Sequence, residues 1–273
     1  MSSVFTMRHR AFRPFRLATA TLILAAAAAL SACNIDISNQ AEGRSEWRKD
    51  YTLAAGGTLE IKNTNGVIEV DPSDGDKVSI TAEKIAKAGT DAEAKQAAEA
   101  IEIKETVSGS SIVLDATTSS SGINLMSGSR QVKFHVRAPK GTRLILSATN
   151  ADMNVRDMTG ELKLTATNGR IQGKNLEGST RAETTNGVIN LDFNAIGADG
   201  ISLEATNGKI DLAIPKSGKA RINTRVTNGA INTDNLSLDV SEQSRKRLTG
   251  TLNGGGPEIR IETTNGAISL RGK

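Results

Sequence analysis

The stretch Leu203-Glu204-Ala205-Thr206-Asn207-Gly208-Lys209-Ile210 recurs, with variations, along most of this 273-residue chain. Its Thr-Asn-Gly centre occurs six times, and a degenerate copy, Thr149-Asn150-Ala151, makes a seventh. From Asn150 onward the asparagines advance by 18, 18, 21, 21 and 37 residues, so the last step is close to two repeats. Self-similarity at a nearly fixed period is the sequence signature of a repeat architecture.

Apolar and polar residues alternate on both sides of each asparagine. In the quoted copy Ile210 stands three residues after Asn207, while Ala205 and Leu203 stand two and four residues before it. A period of two is typical of strands with one buried face. Asn-Gly supplies a turn because both residues tolerate positive φ. The predicted structural corners are Asn65, Gly66, Asn150, Asn168, Gly169, Asn186, Gly187, Asn207, Gly208, Asn228, Gly229, Asn265 and Gly266.

Two all-β topologies fit this register. Asn-Gly hairpins would place the apolar residues before and after each turn opposite one another in antiparallel pairs. In a single-stranded β-solenoid (β-helix-like) each repeat is one coil, and equivalent residues stack. The nearly constant repeat length, the recurrence of residue types at equal offsets, the lack of a covering helix after residue 101 and the scarcity of aromatic residues favour the solenoid. We therefore expect a solenoid with Asn-Gly corners.

Three features carry a resemblance to a known family: the Thr-Asn-Gly-x-Ile repeats, the segment from Val136 to Gly141, and the triple glycine at 254–256 before the final coil. Over roughly residues 55–273 the chain resembles a β-strand-repeat family of unknown function labelled putative adhesins, akin to auto-transporter-adhesin head domains. The resemblance implies a β-solenoid on the bacterial cell envelope. It implies no catalytic residues.

The first 32 residues have the features of a secretory signal. They contain four arginines and no acidic residue, followed by a short apolar run and small residues. The motif Leu30-Ser31-Ala32-Cys33 resembles the lipobox of bacterial lipoprotein precursors, which implies a diacylglycerol on the Cys33 sulfur and an acyl chain such as palmitate on its amine. Multiple acyl chains would anchor the protein stably in a lipid bilayer. Asn34 after the cysteine favours the outer membrane if the host is Gram-negative.

The remaining chain is predicted to contain one folded domain. Residues 33–50, polar and without periodicity, indicate a flexible tether, and residues 51–273 indicate the solenoid. An insertion over about 84–131 contains a capping-box start at Thr90 to Glu93, which predicts one short helix near 91–101. Residues 117–128, rich in Ser and Gly, predict a mobile loop. Residues 235–256 predict a second loop excursion.

The composition excludes several function classes. The basic excess lies in the leader, since residues 33–273 hold 30 basic and 30 acidic residues, so no nucleic-acid partner is expected. One cysteine and two histidines provide no zinc site, and we predict no metal and no cofactor. Only four aromatic residues follow the leader, which leaves little for stacking platforms. His135 stands in an alternating strand pattern and is expected to face solvent.

One row of outward positions is the candidate binding surface. Four residues after each asparagine lie Glu69, Asn154, Gln172, Asn190, Asp211, Asn232 and Ser269. Stacked amides can simply form a structural ladder, or they can bind a carbohydrate. We predict a non-catalytic envelope scaffold or adhesin-like surface for protein or glycan contacts. The alternatives are a carbohydrate-binding or carbohydrate-active solenoid, and a regulatory partner in envelope stress. The chain ends soon after Leu270 without a polar cap, which predicts an open strand edge and self-association there.

Overall fold

The computed structural model describes residues 41–117 and 129–273, which contain nineteen strands and one helix. Cys33, the predicted leader and nearly all of the predicted loop at 117–128 lie outside the described residues. The first strands are β1 Ala41–Thr52, β2 Thr58–Ser73, β3 Lys77–Ala88, β4 Lys104–Ser108, β5 Ser111–Ala116, β6 Arg130–Pro139, β7 Arg143–Arg156, β8 Leu162–Asn168, β9 Ile171–Leu176 and β10 Thr180–Asn186. The remaining strands are β11 Ile189–Phe193, β12 Ile201–Asn207, β13 Ile210–Ile214, β14 Ala220–Asn228, β15 Ile231–Asp234, β16 Leu238–Gln243, β17 Arg247–Leu252, β18 Glu258–Asn265 and β19 Ile268–Gly272, and helix α1 is Asp91–Glu99.

The chain winds as a β-solenoid, and the hairpin alternative is wrong. Each regular coil has one strand before its asparagine and one after it, and these two strands pair with neighbouring coils instead of with each other. We call the strands before the asparagines face A and those after them face B; β2 and β7 run through the corner and contribute to both. Face A contains, in stacking order, β4, β5, β2, β7, β8, β10, β12, β18, β14, β17 and β16. Face B contains, in stacking order, β1, β3, β6, β2, β7, β9, β11, β13, β19 and β15.

The core lies between the two faces. Ile210, Leu212, Leu203 and Ala205 are at most 1% exposed, and equivalent residues of the stacked coils form continuous apolar rows. A single coil would expose to solvent the surfaces that contact the coils on either side of it. Its apolar residues are therefore fully buried only when the coils stack. This arrangement is the one that the period-two pattern predicts.

The last coil in sequence is not the last coil in space. Strand β18 pairs in parallel with both β12 and β14, and β19 pairs with both β13 and β15. The prediction of an open edge at the C-terminal coil is therefore wrong, since both of its strands have two neighbours. The 37-residue step before Asn265 is not a missed repeat along the stack. These residues take the chain from β14 through β15 and the hairpin β16–β17, and then back to β18, which lies between β12 and β14. Self-association stays a prediction.

Antiparallel strands close both ends of the stack. The predicted loop excursion at 235–256 contains the hairpin β16–β17, which packs against β14, and the insertion at 84–131 contains β4 and β5. Strand β1 begins at Ala41, so residues 41–50 of the predicted flexible tether are an edge strand paired with β3. Its charged side chains hide the strand pattern, because an edge strand is half solvated and commonly carries charge.

Helix α1 covers the end of face B beside β1 and β3. Thr90 caps it by accepting from the Glu93 amide at 3.3 Å, and Lys84 Nζ donates to the Glu99 and Ile101 carbonyls at 2.9 and 3.0 Å. Partial burial lowers the pKa of Lys84. The helix approaches β1 so closely that a Cβ on Gly43 would lie 2.1 Å from the Ala94 backbone. The helix begins directly after Thr90, as the capping box predicts.

Candidate functional site

The predicted corner asparagines lie in one line along the stack. The side-chain amide of each donates to the side-chain oxygen of the next: Asn150 to Asn65, Asn168 to Asn150, Asn186 to Asn168, Asn207 to Asn186, Asn265 to Asn207 and Asn228 to Asn265, all at 2.8 or 2.9 Å. Asn65 donates in turn to the Arg130 carbonyl at 3.1 Å. Because these amides satisfy one another, the ladder fixes the register of the coils and leaves few of its groups for a ligand.

The glycines after the corner asparagines have two structural reasons. None of these asparagines has positive φ, but Gly66, Gly169, Gly229 and Gly266 do, as the Asn-Gly pattern predicts for the glycine. Gly187 and Gly208 do not have positive φ. Instead, a Cβ on Gly208 would lie 1.6 Å from the Gly187 carbonyl oxygen, and one on Gly187 would lie 1.8 Å from the Gly169 oxygen. The corner residues are glycine because adjacent coils touch there through their backbones, and four of the six also have positive φ.

Face B carries an uninterrupted polar row. Strand register places Glu69, Asn154, Gln172, Asn190, Asp211, Ser269 and Asn232 side by side on consecutive strands. Toward the other end the same row continues through His135, Thr81 and Arg48. We call this the face B row; it crosses all ten strands of the face, with neighbours about 4.8 Å apart.

An open depression of about 340 Å³ lies over the middle of the face B row. Its lining residues are Asn154, Val155, Arg156, Gln172, Gly173, Lys174, Asn190, Asp192 and Arg271. Asp192 is paired with Lys273, which also donates to Asn194 at 2.8 Å. Arg156 holds Asp71 by two hydrogen bonds, at 2.6 and 3.0 Å, and this contact lowers the pKa of the Asp71 carboxyl. Lys174 and Arg271 have no ionic partner within the described residues.

A second depression of about 500 Å³ lies on the same face nearer to β1. It is lined by Arg48, Asp50, Asp71, Lys77, Ser79, Thr81, His135, Val136 and Arg137. His135 faces solvent, as its position in the strand predicts, and its Nδ1 lies 2.8 Å from Glu69 Oε2. Among the described residues no serine or cysteine is hydrogen-bonded to His135, so the pair lacks the nucleophile of a hydrolytic triad.

The carboxylates of the face B row are too far apart for glycosidase chemistry. Glu69 and Asp211 are separated by four strand spacings, about 19 Å, whereas paired glycosidase carboxylates lie roughly 5 to 9.5 Å apart. Asp211 is also neutralised by Lys209 at 2.7 Å. In the part of the chain that the structure describes, no cluster of three His, Cys, Asp or Glu side chains is placed to hold a metal ion.

Face A brings together three carboxylates that the sequence leaves apart. Glu183, Glu204 and Glu262 occupy adjacent strands in register, because β18 inserts beside β12. Arginines two residues earlier neutralise two of them, Arg181 beside Glu183 and Arg260 beside Glu262. The depression next to them is only about 170 Å³. The sequence signals this arrangement only by the 37-residue step between Asn228 and Asn265, and the step does not show that β18 lies beside β12.

The described surface has few apolar contact points. Phe134 and Phe193 are fully buried, and Trp47 and Tyr51 pack against the core from one side. The only large apolar residues that the described part of the chain exposes are Val107 and Val240, on β4 and β16 at opposite ends of face A. The described residues also include no helix with the length and apolar character needed to span a bilayer. Contacts on face B must therefore be made by polar and charged groups.

The repeat region is similar to a known protein family and to several solved structures. The sequence model of the family described as Toastrack DUF4097 matches residues 146–271. Among solved structures, the chain is similar to a putative cell adhesion protein from Clostridium sporogenes, with 14% identity, 84% of this chain and 100% of that chain covered, and a TM-score of 0.45. It is also similar to a putative adhesin from Bacteroides fragilis, with 12% identity, coverages of 84% and 97%, and a TM-score of 0.44. No curated protein is significantly similar in sequence.

Proposed function

We propose that the protein, whose residues 146–271 match the model of the Toastrack DUF4097 family, is a lipid-anchored scaffold of the bacterial cell envelope whose face B binds an extended glycan without catalysis. The observation that carries the proposal is the face B row. It presents amide, hydroxyl and charged groups at one strand spacing over ten strands. A regular row of this kind suits a ligand that is itself extended and repeating.

A glycan fits face B better than a folded protein does. Protein interfaces depend on a few buried aromatic or aliphatic anchors, and the exposed apolar residues of the described chain, Val107 and Val240, are both on face A. The depression over Asn154, Gln172 and Asn190 is shallow and lined by amides and charges. Amides donate and accept hydrogen bonds, which is what sugar hydroxyls require.

Binding without turnover is proposed because the carboxylates and the histidine do not form a reactive set. Glu69 and Asp211 are too far apart, and His135 has no nucleophile beside it among the described residues. We expect a glycan array, probed with full-length protein in detergent, to give binding and no hydrolysis products. Turnover of any polysaccharide would overturn the non-catalytic assignment.

The binding face is tested by paired substitutions. Gln172→Ala with Asn190→Ala should weaken glycan binding, because both amides line the depression. The control is Thr165→Ala, on β8 of the same coil as Gln172 but on face A. Equal binding by all variants would reject face B as the site. A protein captured through face B from solubilised envelopes would replace the glycan with a protein partner.

The anchor is tested separately. Cys33→Ser removes the sulfur that lipidation needs, so we expect the variant to leave the membrane fraction when cells are fractionated. The control is Ser31→Ala, which keeps the cysteine and a small residue before it. Unchanged membrane association of Cys33→Ser would reject the lipid anchor and leave the face B proposal standing.

A further inference from the structure

We infer, on the basis of the proposed function, that the glycan of face B is anionic and that Lys174 and Arg271 bind its carboxylate or phosphate groups. Both side chains are exposed at the edge of the depression that Asn154, Gln172 and Asn190 line. Neither has an ionic partner within the described residues. An unpaired cation next to a polar depression raises the local concentration of anions.

Many exposed cations of this protein pair with an acidic residue two positions away in the sequence. On face A, the residue two positions away on the same strand is often a glutamate: Arg260 pairs with Glu262 at 2.9 Å, Lys62 pairs with Glu60 at 3.0 Å, and Arg181 pairs with Glu183. Those positive charges are neutralised within their own strand. Face B has pairs of the same kind, Arg48 with Glu46 at 3.7 Å and Lys209 with Asp211 at 2.7 Å, so the unpaired cations are a feature of the depression and not of the whole face.

Lys174 and Arg271 have no acidic residue two positions away on their own strands. Two residues before Lys174 stands Gln172, and two residues before Arg271 stands Ser269. The acid that lies between the two cations, Asp192, is already paired with Lys273. Asp234 stands opposite Arg271 on β15, outside the lining of the depression, and no ion pair joins the two within the described residues. The depression consequently has unpaired positive charge together with neutral hydrogen-bonding groups, which is the combination that an acidic sugar requires.

The scarcity of aromatic residues supports the same ligand class. A site for neutral sugars gains much of its affinity from apolar ring faces, and both phenylalanines of the described chain are fully buried. The affinity of face B must then come from charge and hydrogen bonds. Only a charged ligand gains affinity from the charges of face B.

The spacing of the cations favours a polymer. Lys174 is on β9 and Arg271 on β19, with β11 and β13 between them, so their strands lie three spacings, about 14 Å, apart. A single small anion cannot contact both. A chain that carries an anionic group on successive sugars can bind the two cations and the amides between them.

The inference is tested with full-length protein in detergent and three polymers: polygalacturonate, which carries carboxylates, a phosphomannan, which carries phosphates, and neutral dextran. We expect at least one anionic polymer to bind and dextran to bind at least about tenfold more weakly. Raising the salt from low to high concentration should reduce anionic binding, because exposed charges are screened. Preference for one anionic polymer over the other identifies the anionic group.

Single substitutions locate the site. Lys174→Ala and Arg271→Ala should each weaken anionic binding about three- to fivefold, the range expected for an exposed ion pair, and the double variant about tenfold. The control is Lys163→Ala, an exposed lysine on face A in the same coil as Lys174. Melting curves must be unchanged in all four variants. An equal loss in Lys163→Ala, or unaltered binding by the double variant, would overturn the inference.

The outcomes separate this inference from the proposed function. Dextran binding that equals polygalacturonate binding and depends on Gln172 and Asn190 would retain glycan binding by face B and reject the anionic class. Failure of every polymer to bind, with no face-dependent capture of envelope material, would reject both.

Discussion

The corner glycines offer a sharp test of the stacked architecture, and Gly208→Ala is the sharpest. An alanine Cβ there would lie 1.6 Å from the Gly187 carbonyl oxygen, about half of a normal contact distance. The two coils must separate locally by more than an ångström, because the atom that is hit is backbone and cannot rotate away. The Gly187 amide donates to the Asn207 carbonyl at 3.1 Å, and the Gly208 amide donates to the Asn265 carbonyl at 2.9 Å.

The cost follows from those contacts. Separation weakens the two hydrogen bonds that join these coils at the corner, the Gly187 amide to the Asn207 carbonyl and the Asn207 side chain to the Asn186 side chain at 2.9 Å. At about 1 kcal/mol net for each hydrogen bond, the loss of unfolding free energy is about 2 kcal/mol. For a domain of this size that corresponds to a fall in Tm of roughly 6 °C. Circular dichroism and differential scanning calorimetry measure it directly.

A matched control distinguishes contact from glycine content. Gly141→Ala introduces the same methyl group where nothing lies within 4 Å and where φ is not positive. It should leave the Tm unchanged or raise it slightly, because alanine has less conformational freedom to lose on folding. Equal melting temperatures for Gly208→Ala and Gly141→Ala would refute backbone contact between coils as the reason for the repeated glycine.

Three further predictions concern stability. Thr184→Val should raise the unfolding free energy by about 1 kcal/mol, because the buried Thr184 hydroxyl has no hydrogen-bond partner within the described residues. Thr263→Val, at the equivalent position, should lower it, because that hydroxyl donates to the Gly208 carbonyl at 3.1 Å; the reverse order in chemical denaturation would contradict this reasoning. Arg156 lowers the pKa of Asp71, so the stabilisation is present above the ordinary carboxyl pKa of about 4 and disappears as pH falls through the lower folded value. The stability difference between wild type and Asp71→Asn should narrow below pH 4, and a constant difference would count against the ion pair. Ile210→Asp buries an unpaired charge in the middle of the stack and should cost several kcal/mol; an unchanged melting curve would place Ile210 outside the core.

The regular coils could be predicted because local pattern and tertiary structure coincide there. Ile210 and Leu203 alternate with polar residues at the period of a strand, and their recurrence at equal offsets leads to stacking. The capping box of α1 is likewise a local signal. The solenoid and the helix therefore follow from sequence with little additional information.

The parts that could not be predicted depend on which coils become neighbours. A repeat period specifies the order along the chain, and nothing in it states that β18 inserts between β12 and β14. The depression on face B has the same dependence, because Arg271 lines it together with Asp192 only when β19 lies beside β13. Strand β1 was missed because an exposed edge has too few buried positions to produce a hydrophobic alternation.

The inserted coil also sets the order in which the protein can be completed during its biogenesis. Residues 220–234 are synthesised before residues 258–272, with which they pair in the folded protein. Strands β14 and β15 can therefore complete their pairing only after β18 and β19 have been made. Residues 258–272 then pair on one side with β12 and β13 and on the other side with β14 and β15, so they join the two parts of the stack. Shortening the chain from its carboxyl end would thus open a gap inside the molecule, where removal of an ordinary terminal repeat would only make the stack shorter.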